Sequence, residues 1–172
     1  MKKIVVLGYM GSGKSVIGEM VAKRLQFSFY DLDKLIENRL EMTISEIFSQ
    51  KGEIYFRKIE HQIFHDLMSR NESFVLSLGG GTPCYANNHL LLSGENTVSV
   101  YLNASIGTLF SRLFSERKNR PLIANLNDVD FREYVAKHLF DRSYFYNQAT
   151  LKVLVNDKST DEITDEIINQ LT

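Results

Sequence analysis

Apolar residues follow two rhythms along this chain. Ile4-Val5-Val6-Leu7 is a short, continuous, β-branched run, the pattern of a strand buried on both faces. Beyond it Ile17, Met20, Val21 and Leu25 recur at helical spacing. The alternation continues to the end. It predicts strands at about 3–8, 28–31, 74–78, 97–102 and 151–155. Between them it predicts helices at about 14–25, 34–50 in pieces, 53–69, 85–92, 105–115, 130–147 and 160–170. Strands and helices taking turns at crossover spacing make an α/β fold, a doubly wound five-stranded parallel sheet with flanking helices. The 172 residues suffice for one such domain, 1–172, and the 44% hydrophobic content gives it a core.

Ligands of doubly wound sheets sit beyond the carboxyl ends of the strands. The first strand leads into Gly8-Tyr9-Met10-Gly11-Ser12-Gly13-Lys14-Ser15, which reads G-x-x-x-x-G-K-S, the phosphate-binding P-loop. Glycines let the loop curl so that N–H groups point inward, and the following helix adds partial positive charge at its N-terminus. In such a loop Lys14 reaches the β- and γ-phosphates and the Ser15 hydroxyl ligates Mg²⁺. The chain is thus read as a nucleoside triphosphate binder.

Other chemistry follows the later strands. Asp31 and Asp33 end the second, two carboxylates expected on one side of an extended segment. Gly79-Gly80-Gly81 follows the third and allows close approach of backbone to ligand. Arg57 lies early on the helix that begins after Gly52, with Glu60 three residues on, where it can hold the guanidinium or form a weak surface pair. Arg142 and Tyr146 share a helix face. Residues 115–128 are polar and carry Arg117, Lys118 and Arg120, fitting either a solvated loop or a mobile basic lid over phosphates.

Composition narrows the classes. A net charge of −1 argues against a nucleic-acid-coating surface. One cysteine, Cys84, precludes an internal disulfide and points to a reducing compartment. No stretch approaches the roughly 20 apolar residues of a membrane span. A cytoplasmic protein is expected, without nucleic-acid or membrane partners. His61 and His65 stand four apart but lack the H-E-x-x-H glutamate, so they read as ordinary helix residues, and Cys84 reads as packing.

In this order the motifs resemble those of the shikimate kinases: the P-loop, Asp31-x-Asp33, Gly52-Glu53-x-x-Phe56-Arg57-x-x-Glu60, Leu78–Gly81, Arg120-Pro121-Leu122 and Arg142-x-x-x-Tyr146. The resemblance spans nearly the whole chain. It implies ATP-dependent phosphorylation of the 3-hydroxyl of shikimate by a monomer, with one Mg²⁺. It implies a substrate-binding segment at about 32–62 and a lid at about 112–128. Gly11, Ser12, Gly13, Lys14, Ser15, Val16 and Arg120 would bind ATP, and Ser15 and Asp31 would hold the metal. Asp33, Arg57, Gly80 and Arg142 would bind shikimate, and Lys14, Asp33 and Arg120 would be catalytic. Arginine forks suit a planar carboxylate, and Phe48 and Phe56 could cover the ring.

Some positions depart from the family pattern. Val16 stands where threonine is frequent, and Ser77 ends the third strand where an aspartate often assists the metal. Arg112, Arg117 and Asn156–Lys158 all remain candidates for the adenine contact. The nearest alternative is a kinase of the same architecture acting on gluconate or a nucleoside monophosphate. A nucleotide switch would need a guanine-reading N-K-x-D, which is not evident.

Overall fold

The computed structural model describes residues 2–116 and 123–171. Five strands run parallel in the order β2 (Ser28–Asp31), β3 (Phe74–Ser77), β1 (Lys3–Leu7), β5 (Thr97–Asn103) and β6 (Leu151–Leu154). Ile4–Leu7 and Phe74–Ser77 are buried throughout, as parallel strands covered on both faces must be. A two-residue strand, β4 (Ser93–Gly94), pairs antiparallel with the start of β5. It was not expected, and two residues carry no periodicity to reveal it.

Seven α-helices are present among the described residues: α1 (Lys14–Leu25), α2 (Leu32–Leu40), α3 (Ile44–Lys51), α4 (Glu53–Met68), α5 (Ile106–Glu116), α6 (Asp128–Tyr146) and α7 (Thr160–Leu171). The break between α2 and α3 is set by Thr43, which forms a capping box with Glu46. Gly52, at φ 83°, ends α3 and starts α4. The helix expected at 85–92 is replaced by two short 3-10 turns, Thr82–Cys84 and Asn88–Leu92. Ala86 and Asn87 between them have positive φ, which interrupts any continuous helix.

This order decides where the site lies. From β1 the chain crosses to β2 and β3 on one side, then to β5 and β6 on the other. The loop after β1 therefore opens at the switch point between β3 and β5. α1, which follows that loop, packs against β1, β2, β3 and α7. Arg117, Lys118 and Arg120, expected in a lid, lie outside the described residues.

Phe64 on α4 is fully buried, whereas Phe140 on α6 is 79% exposed. Phe64→Ala should cost about 3–5 kcal/mol and Phe140→Ala within about 0.5 kcal/mol, read by urea denaturation.

Candidate active site

The P-loop runs Gly8–Ser15 between β1 and α1. Gly11 and Gly13 have φ of 80° and 96°, which only glycine adopts without strain. Gly13 sits at the N-cap of α1 with no side-chain cap, so the first N–H groups of that helix are left for a ligand. Lys14 Nζ donates to the Tyr9 carbonyl at 3.0 Å. Arg112 on α5 donates to the carbonyls of Gly11 and Ser12 at 3.2 and 3.3 Å and braces the loop from outside.

One cleft of about 680 Å³ is lined by the P-loop from Met10 to Ile17 and by Asp31, Asp33, Ser77 and Gly80. Arg112, Lys158 and Thr160 also line it. Of the adenine candidates, Arg112 and Lys158 thus meet at the cleft. Asn156 instead accepts from the Ser105 N–H at 2.8 Å, tying the β5–α5 turn to the loop after β6. Arg117 lies outside the described residues.

The two aspartates are arranged differently from the expectation. The chain turns helical at Leu32, so they do not alternate along a strand. Asp31 is the N-cap of α2 and accepts from the Lys34 N–H at 3.2 Å, while Asp33 falls in the first turn. Both still face the cleft. Ser15 Oγ donates to Asp31 Oδ2 at 2.5 Å, so two hard oxygens stand side by side at its exposed edge. That donor set fits a hard divalent cation. Among the described residues no three His, Cys, Asp or Glu gather to hold an ion unaided, so phosphate oxygens and water would complete the shell.

Asp33 is half-buried, and its carboxyl is pushed up to about 6. Loss of solvation is the main cause, and the neighbouring Asp31 charge adds to it while Lys14 opposes. Gly79 makes this crowding possible. A Cβ there would lie 3.0 Å from Asp33 Oδ1, 3.0 Å from Thr82 Oγ1 and 3.2 Å from Glu60 Oε2.

Arg57 and Arg142 approach the same glycine run. Arg57 Nη1 donates to Glu60 Oε1 at 2.7 Å, and Glu60 Oε2 accepts from Thr82 Oγ1 at 2.8 Å. Glu60 is 1% exposed, so the weak surface pair is ruled out. Thr82 is held in turn: its carbonyl accepts from Asn88 Nδ2 at 2.9 Å, and Asn88 Oδ1 pairs with His61 Nδ1 at 2.7 Å. The Arg57 guanidinium lies over the Tyr85 ring, 4.0 Å from its centroid. A Cβ on Gly81 would lie 2.6 Å from Arg57 Nη2, and one on Gly80 would lie 3.1 Å from Arg142 Nη1. Phe56 is buried beneath Arg57 at 5.1 Å, with Phe48 packed on it at 4.6 Å between centroids. Thr82, Tyr85 and Asn88 were not anticipated, because single residues in irregular turns carry no pattern. Cys84 is half-buried, and loss of solvation pushes its thiol up to about 11.

The family model described as Shikimate kinase matches residues 10–172. The chain belongs to the shikimate kinase family. A curated shikimate kinase of Flavobacterium johnsoniae is 53% identical over 171 residues, covering 99% of both chains. A solved shikimate kinase from Bacteroides thetaiotaomicron superposes with a TM-score of 0.89 at 30% identity, covering 99% of this chain and 98% of that one. One from Acinetobacter baumannii in complex with shikimate gives 0.86 at 29% identity, covering 99% and 93%. The family reaction transfers the terminal phosphoryl group of ATP to the 3-hydroxyl of shikimate, giving shikimate 3-phosphate and ADP, and it is the reaction of this enzyme. A gluconate or nucleoside monophosphate kinase is thereby excluded. A divalent metal accompanies the use of ATP. Among the described residues no helix is long and apolar enough to cross a membrane.

The raised Asp33 carboxyl has a consequence for stability. Its folded value of about 6 exceeds the ordinary 3.8, so the folded state binds the proton more tightly. Stability from this group is fully present below about 3.8 and is lost as pH rises through about 6. Asp33→Asn should therefore stabilise the ligand-free enzyme at pH 8 by about 2–3 kcal/mol and leave it little changed near pH 4. Denaturant unfolding of both proteins at the two pH values checks this.

Proposed function

We propose that Lys14 and the N–H groups of Gly11–Val16 bind the phosphates of ATP, that Ser15 and Asp31 hold Mg²⁺, and that Asp33 receives the proton of the shikimate 3-hydroxyl. Arg57 and Arg142 grip the shikimate carboxylate, assisted by the Gly80 N–H, and Arg120 comes from the lid to the phosphates. The observation that carries this reading is the single cleft shared by the P-loop, Asp33 and Gly80, with both arginines packed on the adjoining glycines.

The chemistry follows from the charges. Phosphoryl transfer passes through a loose transition state in which charge grows on the phosphate oxygens, so positioning and fixed positive charge do most of the catalysis. Lys14 supplies that charge from the start of α1, whose dipole has the same sign. Mg²⁺ held by Ser15 and Asp31 would neutralise part of the phosphate charge. Asp33 at about 6 is ionised at neutral pH and still a stronger base than an ordinary carboxylate. It feels the charges of both Lys14 and Glu60, the carboxylate that pairs with Arg57. Glu60 takes one edge of the Arg57 fork, which leaves Nη2 and its hydrogens for a carboxylate. Arg112 or Lys158 is the adenine contact this geometry favours. One chain supplies every group named, and ATP is the donor, which supports a cytoplasmic monomer.

Lys14→Met should abolish transfer with an unchanged circular-dichroism spectrum. Arg57→Ala and Arg142→Ala should each cost about 2–4 kcal/mol of transition-state stabilisation, mainly as weaker shikimate binding. Titration calorimetry with shikimate and nucleotide separately checks them; a collapse of nucleotide affinity alone would put these arginines at the wrong end.

For Asp33→Asn, a general base predicts a fall of about 10²–10⁴-fold in the single-turnover rate at saturating shikimate. A parental rate there would leave Asp33 as an anchor for hydroxyls only. In the parent, kcat/KM for shikimate should fall as pH drops below about 6, as Asp33 takes up its proton.

A further inference from the structure

His138, Arg142 and Tyr146 stand at four-residue intervals on α6 and form one stripe. Both ends of the stripe are pinned. The Tyr146 hydroxyl donates to the Gly80 carbonyl at 2.6 Å. His138 Nδ1 and the Tyr9 hydroxyl share a hydrogen bond of 3.0 Å, with the rings edge to face at 5.5 Å. Arg142 lies between, its guanidinium 5.7 Å from the centre of the Tyr9 ring. Tyr134 packs against His138 at 5.3 Å between centroids.

Tyr9 is the second residue of the P-loop, a position the P-loop pattern leaves open. Here it is 1% exposed. Its carbonyl accepts from Lys14, its ring faces Arg142, and its hydroxyl reaches His138. One buried residue therefore meets both cations, the one assigned to the phosphates at its backbone carbonyl and the one assigned to the carboxylate at its ring. We propose that Tyr9 and His138 are positioning residues for phosphoryl transfer: their hydrogen bond docks α6 on the nucleotide loop and thereby fixes where Arg142 holds its carboxylate relative to Lys14.

The electrostatics agree with the geometry. Burial first, then the Arg142 and Arg57 cations, hold the His138 imidazole below its ordinary range, with Asp141 opposing. Burial and these cations favour the neutral ring, which adds no further positive charge beside Arg142. A hydrogen bond between neutral groups in a buried contact suits a fixed strut, since it makes no demand on solvent or counter-charge.

The inference rests on the assignment of Arg142 to shikimate, so Arg142→Ala is measured alongside. Tyr9→Phe keeps the ring and removes only the hydroxyl, and His138→Leu removes the partner. Each should raise the KM and calorimetric Kd for shikimate about fivefold while the KM for ATP moves less than about twofold. The double variant should be no worse than the poorer single one, because both remove the same bond. His138→Gln, whose amide can bond the hydroxyl, should recover most of the loss. An unchanged shikimate KM in Tyr9→Phe, equal rises for both substrates, or additive single effects would overturn the proposal. Should His138→Leu fail to fold, Tyr9→Phe decides alone. If Arg142→Ala leaves shikimate binding intact, the carboxylate assignment fails; if it weakens binding while Tyr9→Phe does not, only the strut fails.

Discussion

The site depends on one constraint, the absence of side chains along Gly79-Gly80-Gly81. Arg57, Arg142, Glu60 and Asp33 all press against this short stretch after β3, at distances a single Cβ would violate or crowd. Charged groups can gather around a small substrate only if something yields space. Here the backbone yields it, and its carbonyl and N–H groups remain to bond what packs there, as Tyr146 does with Gly80. Burial beside this strip also raises the Asp33 carboxyl to about 6.

Around that strip carboxylates crowd one another, and each is handled differently. Asp31 turns one oxygen to Ser15 and the other to the α2 N-terminus. Glu60, buried, has one oxygen on Arg57 and one on Thr82. A buried carboxylate so placed costs desolvation, and its hydrogen bonds offset that while fixing the Arg57 guanidinium. Asp33 is instead left with a raised carboxyl, so two nearby carboxylates are driven apart in basicity by their surroundings.

The nucleotide end is built on another principle. The P-loop owes its place to the reversal of strand order at β1, and its shape to positive-φ glycines. It is braced from α5 by Arg112 and from α6 through Tyr9 and His138.

Much of this was legible in the order of residues. β1 and β3 were readable because their continuous apolar runs mark strands covered on both faces. The P-loop was readable because its glycines, lysine and serine act through local backbone geometry, which spacing alone encodes. Asp31, Asp33, Arg57, Gly80 and Arg142 could be named because their motifs recur in a fixed order. What tertiary structure decided was everything that depends on distance between remote segments. The turn of the chain into helix at Leu32 made Asp31, the last residue of β2, the cap of α2 and moved Asp33 into the first helical turn, at a boundary no periodicity marks. Thr82, Asn88 and His61 acquired a role only because α4 packs beside the turns after β3, linking them to Arg57. Tyr9 met His138 across 129 positions of sequence. Local pattern records which backbone conformation a residue prefers; which side chains then touch is settled by the packing of helices on a closed sheet order, and that is a property of the whole fold.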